Sequence, residues 1–127
     1  MPFERIQPQG LSKPSTYTHV VRAGNTVYVA GQTAVDEQGQ VVGKGDFTAQ
    51  ATQVFENLKK ALSAAGADLS QMVKITVYLT DPRYREPLAE VRARYLGSAL
   101  PASTLVTVDA LATPELLVEI EAIAVTE

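Results

Sequence analysis

The sequence predicts an α+β sandwich in which one sheet carries both helices on the same face. The length of 127 residues suits one domain with a real core and is too short for two, so we expect a single domain over residues 1–127. Two segments have apolar residues at helical spacing, and strand-like segments surround them in the order β, ββ, α, β, α, ββ. Packing both apolar helix stripes on one sheet face is the economical arrangement.

The first elements are predicted from chain breakers and from β-forming residues. Three prolines and a glycine among the first 16 residues predict an irregular segment with a short strand near Phe3–Ile6. Tyr17–Ala23 and Thr26–Gln32 are rich in β-branched and aromatic residues, and Gly24-Asn25 between them predicts a tight hairpin. Three glycines within residues 36–46 predict a flexible loop.

Two amphipathic helices are predicted from apolar stripes and their end signals. The first has Asp46 as its N-cap and Gly66 as its stop. The second ends at Gly97 and tolerates Pro87 only within its first turn. The stripe of the first helix comprises Phe47, Ala51, Val54, Leu58, Ala61 and Ala65, and that of the second comprises Tyr84, Leu88, Val91 and Tyr95.

The remaining strands predict a sheet with apolar groups on both faces. Met72–Leu79 alternates, with Val73, Ile75, Val77 and Leu79 on the covered side; Leu105–Val108 and Leu117–Val125 are the last two strands. The opposite face also carries apolar groups, namely Tyr28, Tyr78 and Val106. Because a monomer would expose them, the pattern indicates oligomerisation.

Composition excludes several classes of function. The absence of cysteine excludes disulfides, thiolate catalysis, zinc–thiolate sites and iron–sulfur clusters. The net charge of −3 and the lack of a basic block speak against a nucleic-acid partner. We expect no membrane partner and a cytoplasmic location, because there is neither a signal-peptide pattern nor an apolar run approaching 18 residues.

Few side chains are candidates for chemistry. His19 is the only histidine, no metal-ligand spacing occurs, and we interpret His19 as a strand residue without a catalytic role. Glu119 and Glu121 lie two residues apart in an apolar strand, so both project from one face. They are either solvated or line a cleft, and a buried one would have a raised pKa and could act in acid–base chemistry.

The chain resembles the RidA/YjgF family from about Tyr17 to Val125. The residues that carry the resemblance are Gly31-Gln32 after a strand, the helix stop 64–67, the strand 73–79 with Asp81, Pro101-Ala102, and the ending Val-Glu-Ile-Glu-Ala-Ile-Ala-Val at 118–125. The resemblance implies a chorismate-mutase-like α+β fold with a mixed, mainly antiparallel sheet. It also implies a homotrimer with an inner barrel of sheets, outer helices and ligand clefts between subunits.

The resemblance also implies a function and site residues. The best-known members hydrolyse reactive enamines and imines to 2-oxo acids and ammonia without a cofactor. Glu119 matches the family's cleft glutamate, Tyr17 its cleft tyrosine and Gly31 the backbone that touches the ligand, whereas Glu121 is expected to be structural or solvated.

One departure from the family concerns the substrate. The family's deaminases have an arginine immediately after Pro-Ala that grips the substrate carboxylate, and this chain has Ser103 there, with the apolar Leu105 two residues further on. A serine hydroxyl cannot replace a guanidinium fork. We therefore expect weak or absent activity on small 2-imino acids, unless Arg22 swings into the cleft as a substitute.

Three functions remain open at this point. The first is an imine or enamine hydrolase for another substrate, in which Glu119 activates water. The second is a non-catalytic trimer that binds a small metabolite in the same clefts. The third, a ribonuclease, is disfavoured by the net charge of −3.

Overall fold

The computed structural model describes residues 2–127 as a six-stranded sheet with two helices. The strands are β1 Glu4–Ile6, β2 Val20–Ala23, β3 Thr26–Gln32, β4 Met72–Leu79, β5 Ala102–Thr107 and β6 Val118–Val125. The helices are α1 Phe47–Ala64 and α2 Arg85–Leu96. The predicted α+β class is confirmed.

The sheet is mixed and mainly antiparallel. Its strand order is β1-β2-β3-β6-β4-β5, and only the β4–β5 pair is parallel. The parallel pair is joined through α2, as expected for a crossover connection, which needs the length of a helix. β6 lies between β3 and β4, pairs antiparallel with both, and therefore occupies the middle of the sheet.

The first helix begins and ends where its sequence signals indicate. The side chain of Asp46 accepts a hydrogen bond from the Ala49 N–H at 3.1 Å, which satisfies one of the donors left free at a helix N-terminus. Gly66 has a φ of 78° and ends the helix, and the Ala67 N–H returns to the Leu62 carbonyl at 2.9 Å. The predicted helix is confirmed.

Three strand predictions need correction. β2 begins at Val20, not Tyr17, because residues 17–19 bend away from the strand and the His19 ring bonds back to the Ser12 carbonyl. Val73 was predicted on the covered face but is 47% exposed, because the register with β6 shifts between Met72 and Lys74 and Met72 is buried instead. β5 begins at Ala102, three residues before the predicted start at Leu105.

The two faces of the sheet differ sharply in burial. Along β6, Val118, Ile120, Ala122 and Ala124 are buried, whereas the alternating residues are partly or fully exposed. The buried residues pack under α1 and α2, and we call this side the covered face. The other side, here the open face, leaves Tyr28, Val106 and Val125 exposed. Within residues 2–127, no helix is long and apolar enough to cross a membrane.

Candidate functional site

The candidate site is centred on Glu119, which lies on the open face against the backbone of Gly31. A Cβ atom added to Gly31 would lie 1.9 Å from Oε2 of Glu119, so any side chain at this position would force the Glu119 carboxylate to move. Gly31 has no positive φ, so its glycine is required by this close approach and not by backbone conformation. The register of β3 against β6 shifts between Val29 and Gln32, which places Gly31 in an irregular part of the ladder.

Burial and a second carboxylate change the electrostatics of Glu119. Partial burial, followed by the nearby charge of Glu121, raises the pKa of Glu119 above its ordinary value. The Tyr78 hydroxyl donates to Oε1 of Glu121 at 2.8 Å, and this hydrogen bond raises the pKa of Tyr78. Glu121 is exposed and its carboxylate is held by Tyr78, whereas the half-buried Glu119 has a raised pKa and is therefore a candidate acid–base group.

The segment around Tyr17 lies beside this site. Tyr17 is 56% exposed, and its ring packs edge-on against the ring of His19 with centroids 5.8 Å apart. The carbonyl of His19 accepts a hydrogen bond from the Ala30 N–H at 2.8 Å. The structure therefore brings the predicted residues Tyr17, Gly31 and Glu119 to the same end of β3.

Ser103 and Leu105 lie elsewhere in the protomer. Their partners on β4 are Ile75 and Val77, which are buried on the covered face, and Leu105 packs against that core. Glu119 pairs with Tyr78 on the open face. Ser103 is thus on the opposite face, two strands away and about 10 Å further along the strand direction, at about 3.3 Å per residue. One chain does not bring Ser103 and Leu105 together with Glu119.

Arg22 cannot serve as a substitute anchor, which corrects the alternative raised from the sequence. Its guanidinium donates to the carbonyl of Ala65 at the end of α1, to the carbonyl of Gly24 at 3.0 Å and to the hydroxyl of Thr126 at 2.8 Å. Cations favour the C-terminus of a helix because the carbonyls there carry partial negative charge. Arg22 stabilises this corner of the fold and is not available to a ligand.

Gln32 is a residue of the site that sequence reasoning missed. It is buried, and its amide group contacts both the His19 ring at 3.0 Å and the Ala30 carbonyl at 3.0 Å. The available signal was a polar residue on the buried alternation of β3, next to the glycine of the site. A buried amide of this kind needs hydrogen-bond partners, and its nearest polar neighbours are the site backbone and His19.

Other parts of the surface offer different chemistry. Two adjoining grooves of about 590 and 640 Å³ lie between the N-terminal segment and α1, are lined in part by Gln7, Gln9 and Lys60, and do not include Glu119. Among residues 2–127, no group of three or more histidine or acidic side chains is placed to hold a metal ion.

The comparisons with known proteins decide the family. The model of the family described as Endoribonuclease L-PSP matches residues 9–126 of the chain. The chain belongs to the RidA/YjgF family. Its relatives include the 3-aminoacrylate deaminase RutC of Acinetobacter baylyi, which is 36% identical with 98% of each chain covered.

Another RidA/YjgF relative and a solved structure agree with this assignment. The 2-iminobutanoate/2-iminopropanoate deaminase of Mus musculus is 38% identical, with 86% of this chain and 80% of the relative covered. The crystal structure of a putative endoribonuclease from Thermotoga maritima is 35% identical and superimposes with a TM-score of 0.89, covering 98% of this chain and 99% of the other. The family thus includes deaminases of 3-aminoacrylate and of 2-imino acids that match 98% and 86% of this chain.

Proposed function

We propose that the chain is a subunit of a homotrimeric RidA-like imine or enamine deaminase, with a small-molecule cleft between neighbouring subunits. The observation that carries this proposal is the Glu119 carboxylate, half-buried against Gly31 on an otherwise open sheet face. The 3-aminoacrylate and 2-iminobutanoate deaminases among the relatives support the reaction class. The proposed site residues are Glu119 as the catalytic group, with Tyr17, Gly31, Ser103 and Leu105 as contacts to the substrate.

In the proposed reaction, water adds to the carbon of a C=N bond. The Glu119 carboxylate orients the water and accepts one proton as the C–O bond forms, and that proton is then returned to the nitrogen. The hydroxyl proton of the resulting carbinolamine then passes through Glu119 to the nitrogen as the C–N bond breaks, so that ammonia leaves and the carbon becomes a carbonyl. One imine and one water thus give one carbonyl and one ammonia. A raised pKa makes Glu119 a stronger base than an exposed glutamate, and the chain's own residues supply every step.

The placement of Ser103 supports a cleft built from two subunits. Ser103 and Glu119 lie on opposite faces of one protomer, so they can line one cleft only if they come from different copies. The exposed side chains of Tyr28 and Val106 give the open face an apolar surface for packing against a second copy. Light scattering should give a mass three times that of the 13.6 kDa chain, and a monomer at assay concentration would contradict the trimer.

The substrate is expected to differ from small 2-imino acids. Without an arginine at position 103, a substrate carboxylate loses its bidentate partner, and losing one member of a buried charge pair costs about 2–5 kcal/mol. We therefore expect weak or no turnover of 2-iminopropanoate and 2-iminobutanoate.

A coupled assay with these two imines tests the expectation. The Ser103→Arg variant should raise turnover more than the matched control Ser103→Lys, which places a cation at the same position without the planar guanidinium fork. Turnover by the unmodified chain equal to that of an arginine-bearing relative would refute the role given to position 103. No gain in Ser103→Arg would mean that Leu105 or the cleft shape limits activity.

The second candidate is a non-catalytic trimer that binds a small metabolite in the same clefts, and the serine at position 103 favours it. The Glu119→Gln variant separates the two candidates. A deaminase loses turnover but keeps ligand binding, because the amide retains the shape and loses the base. A binding protein has no turnover in either form. We do not propose ribonuclease activity, since a net charge of −3 is unfavourable for binding RNA phosphates.

A further inference from the structure

His19 is a buried histidine beside the candidate site, and both of its ring nitrogens have hydrogen-bond partners. Its Nε2 lies 2.8 Å from the Ser12 carbonyl oxygen and its Nδ1 lies 3.0 Å from Nε2 of Gln32. A carbonyl oxygen only accepts, so Nε2 of His19 carries the proton and donates it. Nδ1 is then the acceptor, and it receives a hydrogen bond from the Gln32 amide.

The orientation of the Gln32 amide is fixed by a second partner. The same Nε2 donates to the Ala30 carbonyl at 3.0 Å, so the NH2 group must face both the Ala30 carbonyl and the His19 ring. The Ala30 N–H in turn donates to the His19 carbonyl at 2.8 Å. The Ala30 N–H is thus held by the backbone of residue 19, and the Ala30 carbonyl is held by the Gln32 amide, which the His19 ring orients.

This restraint acts where the β3–β6 ladder gives little support. The Ala30 carbonyl belongs to the peptide that enters Gly31, and the β3–β6 ladder is irregular between Val29 and Gln32. A bulged residue lacks the regular pairing that fixes its neighbours, so other bonds must set its position. Glu119 packs directly on Gly31, so a displacement of this peptide would move the carboxylate or admit water to it.

We propose that His19 is a positioning residue of the Glu119 site: through Gln32 it fixes the Ala30–Gly31 peptide against which the Glu119 carboxylate packs. Its ring also packs edge-on against Tyr17, so the same side chain holds two predicted contacts of the cleft. The proposal rests on the proposed function only for the catalytic role of Glu119, and its first test does not require that a substrate is turned over.

The test compares two substitutions of His19 by measuring the pKa of the Glu119 carboxyl with carbon NMR in the folded chain. His19→Gln keeps one donor for the Ser12 carbonyl and one acceptor for Gln32, whereas His19→Leu fills similar space without either. In His19→Leu we expect the Glu119 pKa to fall towards that of an exposed glutamate, because the loosened peptide admits water. His19→Gln should keep the value of the unmodified chain.

Two further variants keep the test decisive. Gln32→Met removes the link but leaves the His19–Ser12 bond, so it should lower the Glu119 pKa even if His19→Leu does not fold. Val91→Ala makes a cavity in the core under α2, away from the site, and should lower stability without changing that pKa. An unchanged Glu119 pKa in both His19→Leu and Gln32→Met would overturn the proposal, as would an equal shift in His19→Gln and His19→Leu.

Kinetics separate this proposal from the proposed function. If a substrate is turned over, His19→Leu should lower kcat more than it raises KM, and His19→Gln should restore kcat. If Glu119→Gln leaves turnover unchanged, the catalytic role of Glu119 fails, and the NMR result still decides whether His19 positions the carboxylate.

Discussion

The covered and open faces of the sheet take different residues from one and the same strand, β6. On the covered face, β6 contributes Val118, Ile120 and Ala122 to a core that excludes water. On the open face, the residues between them include Glu119 and Glu121, which carry charge. Because side chains alternate along a strand, successive residues point to opposite faces, one towards the core and the next towards solvent. The same eight residues thus anchor the sheet and present the candidate carboxylate.

The two faces also treat polar groups differently. Among the buried amides of the covered side, Gln50 bonds to loop backbone, and Asn57 donates to the Thr33 and Val35 carbonyls and accepts from the Gln53 amide. The open side leaves a carboxylate half-buried next to a second negative charge. Satisfied polar groups stabilise the fold, whereas a carboxylate in an unfavourable environment is a candidate for acid–base chemistry. Substitutions on the two faces should therefore have different consequences.

The largest effect is expected from neighbouring residues on opposite faces of β4. Ile75→Ala removes a fully buried side chain and should lower the free energy of unfolding by about 2–5 kcal/mol, through lost burial and the cavity left behind. Thr76→Ala, one residue later on the open face, should change it by less than about 1 kcal/mol. Urea unfolding of both variants at equal protein concentration measures the difference. Equal losses in the two variants would mean that the covered face does not contribute more to stability than the open face.

The next effect concerns the buried amide of Gln50 in α1. It donates to the carbonyls of Gly43 and Glu115 at 3.1 and 2.8 Å and accepts from the Leu117 N–H at 2.9 Å. Gln50→Met keeps the size but leaves these backbone groups unpaired, so we expect a loss of about 2–3 kcal/mol in urea unfolding. Gln50→Glu keeps the acceptor for the Leu117 N–H, and its free energy of unfolding should change with pH because the introduced carboxyl group can ionise. A loss below about 0.5 kcal/mol in Gln50→Met would show that water replaces the amide.

The covered face could be predicted from the sequence, because burial follows periodicity. The stripe from Phe47 to Ala65 and the alternation in 72–79 are signals that local chain geometry produces directly. The error at Val73 arose because a bulge changes the alternation, and nothing in the residue types marks a bulge there. The start of β2 was wrong because a bond from His19 to the Ser12 carbonyl, not strand propensity, sets the bend.

The open face could be predicted only in part. The i, i+2 spacing placed Glu119 and Glu121 on one face, and the family resemblance pointed to Gly31. The contact between Gly31 and Glu119 joins residues 88 positions apart in the chain, and spacing says nothing about such pairs. The role of Gln32 depends on where its amide lies in three dimensions. The contacts of Arg22 were likewise decided by the position of the end of α1.

A smaller effect should come from placing a methyl group at the centre of the open-face site. Gly31→Ala puts a carbon where the Glu119 carboxylate now lies, so the carboxylate must move. We expect a loss of about 1–2 kcal/mol in the free energy of unfolding, as for a modest overpacking, and a larger proportional loss of any turnover.

A double-mutant cycle identifies the cause of the Gly31→Ala effect. In a Glu119→Ala background the carboxylate is gone, and Gly31→Ala should then be close to neutral. If the cost persists in that background, it comes from the backbone of β3 and the close approach to Glu119 is not what requires glycine.

The smallest effect is a pH dependence of stability that belongs to Glu119. Its pKa is raised in the folded chain, so the folded state binds this proton more tightly than the unfolded state. The resulting stabilisation is fully present below the ordinary glutamate pKa and is lost as the pH rises through the raised value. Glu119→Gln cannot ionise and lacks this loss. The unfolding free energy of Glu119→Gln minus that of the unmodified chain should therefore increase with pH across this window and then become constant.

Urea unfolding of both chains from acid to neutral pH measures this difference. The nearby charge of Glu121 is the second cause of the raised pKa, after burial, so in a Glu121→Gln background the window should become narrower but should not vanish. A difference that is flat with pH would mean that Glu119 is as well solvated as an exposed glutamate. Glu119 would then be an ordinary surface carboxylate, and the two faces would differ in how deeply their residues are buried but not in how their polar groups are stabilised.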